Sequence, residues 1–317
     1  MDLHQLLVCP ACRAALRWSE MEARCDACPH AFPVVDGIPV LLIDQSAADH
    51  DELEHLHGHG HGHDHAHDHK QQQAAWFDRE EAAEFEIARP HGAPALYRFL
   101  LGEKFRRSVA ALAPILPGAT ALTVCGGSGL DAEYLARAGA RVIASDISLG
   151  AARRVQERAR RYRLPIVPLV ADVERLPFAD RAVDLVYVHD GLHHLERPAA
   201  GLAEMARVAA RAVSVTEPAK AAATALAVRL GLALEREEAG NRVARLTPAQ
   251  VAAFFQRSGF RPLRAERYAM YYRHEPGALF AALSRPALFP LTRSGWQIAN
   301  RAVGRWGNKL TVQAVRP

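Results

Sequence analysis

Between Leu122 and Asp146 the chain reads LTVCGGSGLDAEYLARAGARVIASD, and few architectures admit that order of residues. Leu122 and Val124 belong to a short apolar run of buried-strand type. Gly126, Gly127 and Gly129 follow as a turn, Asp131 to Ala138 has helical spacing, and Gly139 stops it. Val142, Ile143 and Ala144 open a second strand that ends at Asp146. Strand, glycine turn, helix and strand make a parallel α/β unit. Residues with little bulk let a ligand approach the backbone, and free N–H groups at a helix start attract anionic groups. A carboxylate at the second strand's tip can accept hydrogen bonds from both hydroxyls of a ribose. The stretch therefore predicts a nucleoside site. Gly127, Gly129 and Ala132 also satisfy the G-x-G-x-x-A form of a dinucleotide fingerprint, so this unit alone does not choose the nucleoside.

The following segments narrow the choice. A third strand, Ile166 to Ala171, ends at Asp172, and a fourth, Val183 to Val188, leads into HDGLHHL at 189–195. A later strand, Val213 to Thr216, ends at Glu217. Taken together, the glycine loop, the two strand-tip acids and the motif after strand four resemble the class I S-adenosylmethionine (SAM)-dependent methyltransferases of type 11. That resemblance implies an α/β, Rossmann-like sheet, mostly parallel with an antiparallel last strand. It also implies SAM contacts from Cys125, Gly126, Gly127, Ser128, Gly129 and Asp131 at the loop. Asp146 and Ile147 would meet the ribose, Asp172 and Val173 the adenine, and His189 the reacting end. Methyl transfer from a sulfonium is an in-line displacement, so a group must orient the acceptor and, for a hydroxyl, take its proton. His189, His193 and Asp190 are the catalytic candidates, because histidine titrates in the useful range. His194 is titratable too, but many members of the family carry a histidine at its position, where it can be structural.

Two residues depart from the family's usual loop. Thr123 stands where an acid is common, and Cys125 where the first glycine is common. Cysteine fits the turn if its φ stays below zero, and Asp131 is available as a compensating acid. For Asp146 an alternative role is capping the helix that starts near Ser148.

The N-terminus carries a different chemistry. Cys9-Pro-Ala-Cys12 and Cys25-Asp-Ala-Cys28 are two knuckles a hairpin apart, a pattern that suits tetrahedral zinc rather than disulfides. A module this short needs a metal to offset its small core. Four thiolates leave no open coordination position, so the zinc is expected to be structural. An Asp36-Gly37 turn completes a stretch, residues 6–43, that resembles the zinc-ribbon family including the activator subunit of certain tRNA and protein methyltransferases. Next, nine histidines fall between His50 and His69, alternating with Gly, Asp and Ala from His57 onward. Such a run cannot bury a core and reads as a disordered polar tether or as a metal-buffering tract. The expected organisation is a zinc ribbon at 1–46, a histidine-rich linker at 47–73 and a methyltransferase domain at 74–317.

Within that domain, helices are expected at Ala74–Arg89, Tyr97–Leu112 and Ala219–Leu234, with another starting at Thr247-Pro248. Strands at Arg264–Tyr272 and Leu310–Val315 flank an insertion, 273–309, that holds Phe280, Phe289, Trp296 and Trp306. This reads either as an aromatic cap for an apolar acceptor or as extra core cover. The net charge is +4, with only four lysines among the cations, which gives little reason to expect a polyanion partner. Arg153, Arg154, Arg158, Arg160, Arg161 and Arg163 form a basic helix, read as a solvated face or as an RNA phosphate track. Lys104, Arg106 and Arg107 are expected to face solvent. No apolar window is long enough to span a bilayer, so a cytoplasmic protein is expected. The sequence thus predicts methyl transfer from SAM to a small-molecule or lipid-like acceptor. The alternatives are an rRNA-guanine type methyltransferase using its ribbon on RNA, and a non-catalytic SAM-fold or metal-handling protein.

Overall fold

Every residue of strand β5 (Thr120–Val124) is buried, because β5 lies at the centre of the sheet with helices on both faces. The computed structural model describes residues 3–43, 70–75, 78, 83–195, 197–220, 246–272 and 274–317. In chain order its strands are β1 (Leu16–Trp18), β2 (Glu22–Cys25), β3 (Ala31–Val35), β4 (Ile38–Leu41), β5, β6 (Arg141–Asp146), β7 (Ile166–Ala171), β8 (Val183–His189), β9 (Ala209–Pro218), β10 (Arg261–Tyr268) and β11 (Lys309–Val315). The helices are α1 (Ala83–Ala88), α2 (Ala95–Val109), α3 (Leu130–Arg137), α4 (Leu149–Tyr162), α5 (Pro198–Val208), α6 (Pro248–Arg257), α7 (Ala278–Leu283) and α8 (Phe289–Val303).

The spatial strand order is β1-β2-β3-β4-β7-β6-β5-β8-β9-β11-β10. Strands β7, β6, β5, β8 and β9 run parallel, and β11 inserts antiparallel between β9 and β10. This is the mostly parallel sheet with a reversed end that the sequence predicts. Alternate side chains serve opposite faces, as the pleat requires. Leu122, Val124, Ile143, Val186 and Val188 join one core, with Leu202 of α5 and Phe255 of α6. Ala121, Val142, Ala144 and Leu185 join the other, with Leu135 of α3 and Val155 of α4.

The zinc-ribbon segment is built into this sheet. Asp36 and Gly37 have φ of 55° and 76°, a turn with two left-handed residues that closes the β3–β4 hairpin. Strand β4 then pairs in parallel with β7, Val40 opposite Val170 and Leu41 opposite Ala171. Ile38 is fully buried against Ala152 of α4 and Val170 of β7. Val8 donates its N–H to the Pro177 carbonyl at 3.0 Å, and Arg153 Nε donates to Asp36 Oδ2 at 2.9 Å. The sequence predicts two units joined by a tether. Periodicity does not reveal that the edge of β7 would be covered by a strand from the first unit.

Other expectations shift in detail. Residues 70–75 are helical, so the C-terminal end of the expected linker 47–73 is ordered, whereas the histidines at 50–69 lie outside the described residues. The single helix expected over Ala74–Arg89 is helical at 70–75 and again in α1. Most of the helix expected at Ala219–Leu234 lies outside the described residues, and Ala219 itself forms a bridge with Leu246. Thr247 caps α6 with a reciprocal Gln250 bond, as its Thr-Pro start implies. The basic helix is only partly a solvated face. Arg158 is wholly buried, donating to Glu133, to the carbonyls of Arg89 and Ser128 at 2.8 Å each, and to the Glu86 carbonyl. Arg160 and Arg161 pair with Glu157, and Arg161 also with Glu84. With these cations engaged, α4 offers no continuous track for phosphates.

Because Ile38 packs between the two segments, Ile38→Ala should cost about 2–4 kcal/mol. Urea unfolding followed by far-UV circular dichroism should show the whole transition moving to lower denaturant. An unmoved main transition would mean that the ribbon is energetically separate from the sheet.

Candidate active site

A cavity of about 750 Å3 opens at the C-terminal ends of the parallel strands. Open α/β sheets bind ligands in that crevice. Cys125, Gly126, Gly127 and Ser128 of the β5–α3 loop line it, while Gly129, at φ 80°, caps α3 and is not part of the lining. Contrary to expectation, Cys125 has φ 51°. A left-handed non-glycine residue costs on the order of 1 kcal/mol. The turn holds because the next loop is shaped around it: a β carbon on Gly191 would collide with Cys125 Cβ. Burial pushes the Cys125 thiol's pKa up, so it is a neutral wall of the cavity. Thr123 Oγ1 is buried with no hydrogen-bond partner and lies 3.1 Å from where a Gly126 β carbon would stand. Thr123 therefore closes the loop by contact, in place of the acid common at this position.

Asp146 ends β6. Its Oδ2 accepts the Gly127 N–H at 2.8 Å and its Oδ1 the Ser148 N–H at 3.1 Å. The cap of α4 is Ser148, whose hydroxyl accepts from Ala151 N at 2.9 Å, so Asp146 is not consumed as a cap. Each Asp146 oxygen keeps a second lone pair, and the residue lines the cavity beside Ile147. Burial raises its pKa from the ordinary carboxylate value. Asp172, just past β7, accepts from Glu174 N at 2.9 Å and forms an ion pair with Lys70 at 2.6 Å. Val173 lines the cavity next to it. Lys70 comes from the helical stretch 70–75 and also reaches Glu174 at 2.9 Å. Glu86 and Arg89, paired at 2.9 Å, close the same side, and Ser128 donates to Glu86 at 2.9 Å.

Beyond β5, the cavity ends in a buried cluster of charges. Lys104 of α2 lies 3.6 Å from Asp131, which also accepts the Tyr187 hydroxyl at 3.1 Å. His189, at the tip of β8, has Nδ1 3.3 Å from that hydroxyl and Nε2 3.5 Å from Asp190. Asp190 is paired with Lys309. Burial opposes each charge, but Lys104 holds Asp131 below the usual carboxylate range and Lys309 does the same for Asp190. Burial and the nearby Lys104 ammonium depress His189 to about 3. It is therefore a neutral imidazole at physiological pH.

The three catalytic candidates separate here. His189 and Asp190 line the cavity; His193 does not. The His193 ring is turned inward, with Nδ1 2.8 Å from Glu217 Oε2, while Glu217 Oε1 accepts the N–H groups of Gly191 and Leu192 at 2.8 Å each. His193 thus helps hold the loop through Glu217 and lies outside the cavity lining. Its neighbour His194 takes a place in the lining. Asp131, expected near the cofactor loop, faces the Lys104 and His189 side. The insertion's Phe280, Phe289 and Trp296 pack on α2, through Tyr97 and Phe99, and act as core cover. The aromatics that reach the cavity are Tyr271 and Tyr272, just before it.

Lys104, expected to face solvent, is instead buried at the cavity, and Lys309 and Lys70 join the lining unannounced by any motif. For Lys104 a signal existed: it stands seven residues after Tyr97 and four before Ser108, on α2's buried face, whereas Arg106 is exposed. Lys309 and Lys70 carry no local signal, since their partners lie far along the chain.

The four cysteines converge at the ribbon's end, their sulfurs all within 4.8 Å of one another. The pairs Cys9–Cys28, Cys12–Cys25 and Cys12–Cys28 are 3.6, 3.3 and 3.5 Å apart. A zinc ion with bonds of about 2.3 Å to four sulfurs separates them by roughly 3.8 Å. The donor set fits that ion.

Comparison with known proteins agrees with this geometry. Residues 122–212 match a family described as a methyltransferase domain, and residues 2–37 one described as Trm112p-like protein. The magnesium protoporphyrin IX methyltransferase of Synechocystis PCC 6803, solved with bound S-adenosylhomocysteine, superposes with a TM-score of 0.55. That match spans 78% of this chain and 100% of that one at 18% identity. The fold is that of a class I methyltransferase. The same class I fold also aligns with the [4+2]-cyclase SpnF, at TM-score 0.55 and 19% identity over 78% of this chain and 96% of that one. Fold alone therefore does not choose the reaction. In sequence, the chain is 37% identical over 105 residues to a demethylmenaquinone methyltransferase of Renibacterium salmoninarum, covering 33% of this chain and 43% of the relative. It is 41% identical over 95 residues to that of Corynebacterium urealyticum, covering 30% and 38%. The chain thus spans less than half the length of these curated relatives.

The interlocked Cys125 and Gly191 give a direct test. Gly191→Ala should destabilise the protein by about 1–3 kcal/mol, and Cys125→Gly added to it should recover part of that loss in chemical denaturation. No recovery would show that the two loops are not coupled. A second expectation concerns pH. An imidazole at about 3 in the fold and near 6.5 when unfolded makes the unfolded chain the better proton binder between those values. Stability is complete above about 6.5 and falls as pH drops toward 3, by up to about 1.4 kcal/mol per unit for this one group. His189→Gln should flatten the wild-type stability curve between pH 6 and 4, and parallel curves would contradict the assignment.

Proposed function

We propose that this chain is a SAM-dependent methyltransferase acting on a small-molecule or lipid-like acceptor, with a structural zinc in its ribbon. One observation carries the reading. Asp146 and Asp172 stand at the tips of neighbouring strands beside a loop of small residues, and their cavity continues into the His189, Asp190 and Lys104 cluster. When bound, SAM supplies an electrophilic methyl on a sulfonium. Asp146 is held by two backbone N–H groups with lone pairs left for the ribose hydroxyls. Asp172 and Val173 meet the adenine edge, and Lys70 lies over them. Gly126 and Gly127 let the backbone pass close to the cofactor's chain.

At the far side the groups orient an acceptor more readily than they ionise it. His189 is neutral, so its Nε2, buried without a hydrogen-bond partner, can accept a hydrogen bond from an acceptor hydroxyl and position it. Asp190, fixed by Lys309, is the adjacent negative charge. Tyr271, Tyr272 and Met270 give the acceptor side apolar surface. Relatives named for demethylmenaquinone support a lipid-like acceptor. The internal use of Arg158, Arg160 and Arg161 favours this over an RNA acceptor. Among the described residues no helix is long and apolar enough to cross a membrane. We place the protein in the cytoplasm, where four thiols stay reduced for a metal.

Asp146→Ala should weaken SAM binding by about 2–3 kcal/mol, roughly 30- to 150-fold, in titration calorimetry. Asp146→Asn, which keeps the shape near Gly127 and Ser148, separates ligand contacts from loop collapse. Unchanged affinity in both would remove Asp146 from the site. Incubation of cell extract with methyl-labelled SAM should place label in the lipid or metabolite fraction. Label confined to RNA would overturn the acceptor class.

A further inference from the structure

The insertion between β10 and β11 has a surface that neither the cofactor crevice nor the core explains. Its inward side is settled: Phe289 and Trp296 pack on Phe99, and the buried Asn300 side chain accepts the Ala269 N–H at 2.9 Å. Its outward side is apolar. Leu291 and Ile298, two helical turns apart and so on one face of α8, are 71% and 63% exposed. Leu279 on α7 is 67% exposed, and Leu288 and Trp306 are exposed as well. Scattered single apolar residues on a surface are ordinary, but several on one two-helix element mark a contact.

The charge of the same element is one-sided. From Pro276 to Lys309 the sequence contains Arg285, Arg293, Arg301, Arg305 and Lys309 and no Asp or Glu. The four arginines are exposed. Elsewhere in the fold, arginines are commonly tied to carboxylates, as Arg106, Arg160, Arg161 and Arg207 are. Arg305 stacks on the Trp306 ring at 3.9 Å, an arrangement of cation and indole that suits the headgroup level of a bilayer. Exposed Leu and Ile on a helix, flanked only by cations and a Trp, have the composition of an interfacial helix pair. The element also adjoins the cavity lining at both its ends, through Tyr271, 72% exposed and just before it, and through Asn308 and Lys309.

We propose that α7 and α8 dock this protein on an anionic lipid bilayer surface. Leu279, Leu291, Ile298 and Trp306 enter the interface, and Arg285, Arg301 and Arg305 meet lipid phosphates. Opposite charge draws the arginine-bearing face to an acidic leaflet, and burial of the leucine and isoleucine side chains holds it there. The cavity mouth beside Tyr271 then faces the membrane. Docking deepens the lipid-like acceptor reading, yet it is measured without methyl transfer, so failure of either leaves the other standing.

Co-sedimentation of the full chain with vesicles tests it. Vesicles of one part phosphatidylglycerol to two parts phosphatidylcholine should retain the protein at 50 mM salt. Retention should fall at least tenfold on pure phosphatidylcholine or at 500 mM salt. Leu291→Glu with Ile298→Glu should lower retention at least tenfold while leaving the far-UV circular dichroism and SAM titration of the wild type. Arg285→Glu with Arg301→Glu should do the same through charge. Wild-type protein that stays in the supernatant overturns the proposal. So does retention that the substitutions do not change. A concentration-dependent dimer in light scattering, dissolved by Leu291→Glu with Ile298→Glu without any vesicle binding, would assign the face to a second copy and likewise overturn it.

Discussion

The carboxylate of Asp146 joins three pieces of backbone at one point. It closes the glycine loop through Gly127, fixes the start of α4 through Ser148, and caps the end of β6. Charge-assisted bonds from two N–H groups are strong because both partners are buried. Together with the Gly126 N–H, which donates to the Ser145 carbonyl of β6 at 2.9 Å, that anchor holds the loop carrying Cys125 in the left-handed region beside β6. The nucleoside half of the cavity is therefore as much a product of this one acid as of the glycines around it.

The acceptor half is built on a different balance. Lys104 and Lys309 face Asp131 and Asp190 around a neutral imidazole, and burial raises the cost of leaving any of them unpaired. Such a cluster keeps its charges in fixed positions while water is largely kept away, which suits orientation of an acceptor more than proton abstraction by a strong base. The loop bearing these groups is shaped from behind by Glu217, which holds Gly191, Leu192 and His193 together. His193, one of the three catalytic candidates in the sequence, is part of that support.

The ribbon has a structural consequence beyond its metal site. Its last strand covers what would otherwise be the exposed edge of β7, and Asp172 follows directly from β7. Unpaired edges invite association with other chains. Here the edge is satisfied by a segment of the same chain, so ribbon folding and the Asp172 side of the cavity are mechanically linked through one pair of strands.

By itself the sequence determined the elements that depend on local chemistry. The glycine loop, the strand-tip acids Asp146 and Asp172, the Thr247-Pro248 helix start and the two C-x-x-C knuckles each follow from neighbours within a few residues. Helical spacing also held the clue to Lys104, which went unread because a lysine beside Arg106 and Arg107 resembles a solvated face. Tertiary structure alone decided which side chains meet across long separations. Lys70 reaches Asp172, Lys309 reaches Asp190, β4 pairs with β7, and Glu217 binds His193. The physical reason is that spacing along a chain fixes the face a residue occupies. The partner on that face is set by how helices and strands pack, and only packing brings residues a hundred or more positions apart within hydrogen-bond reach.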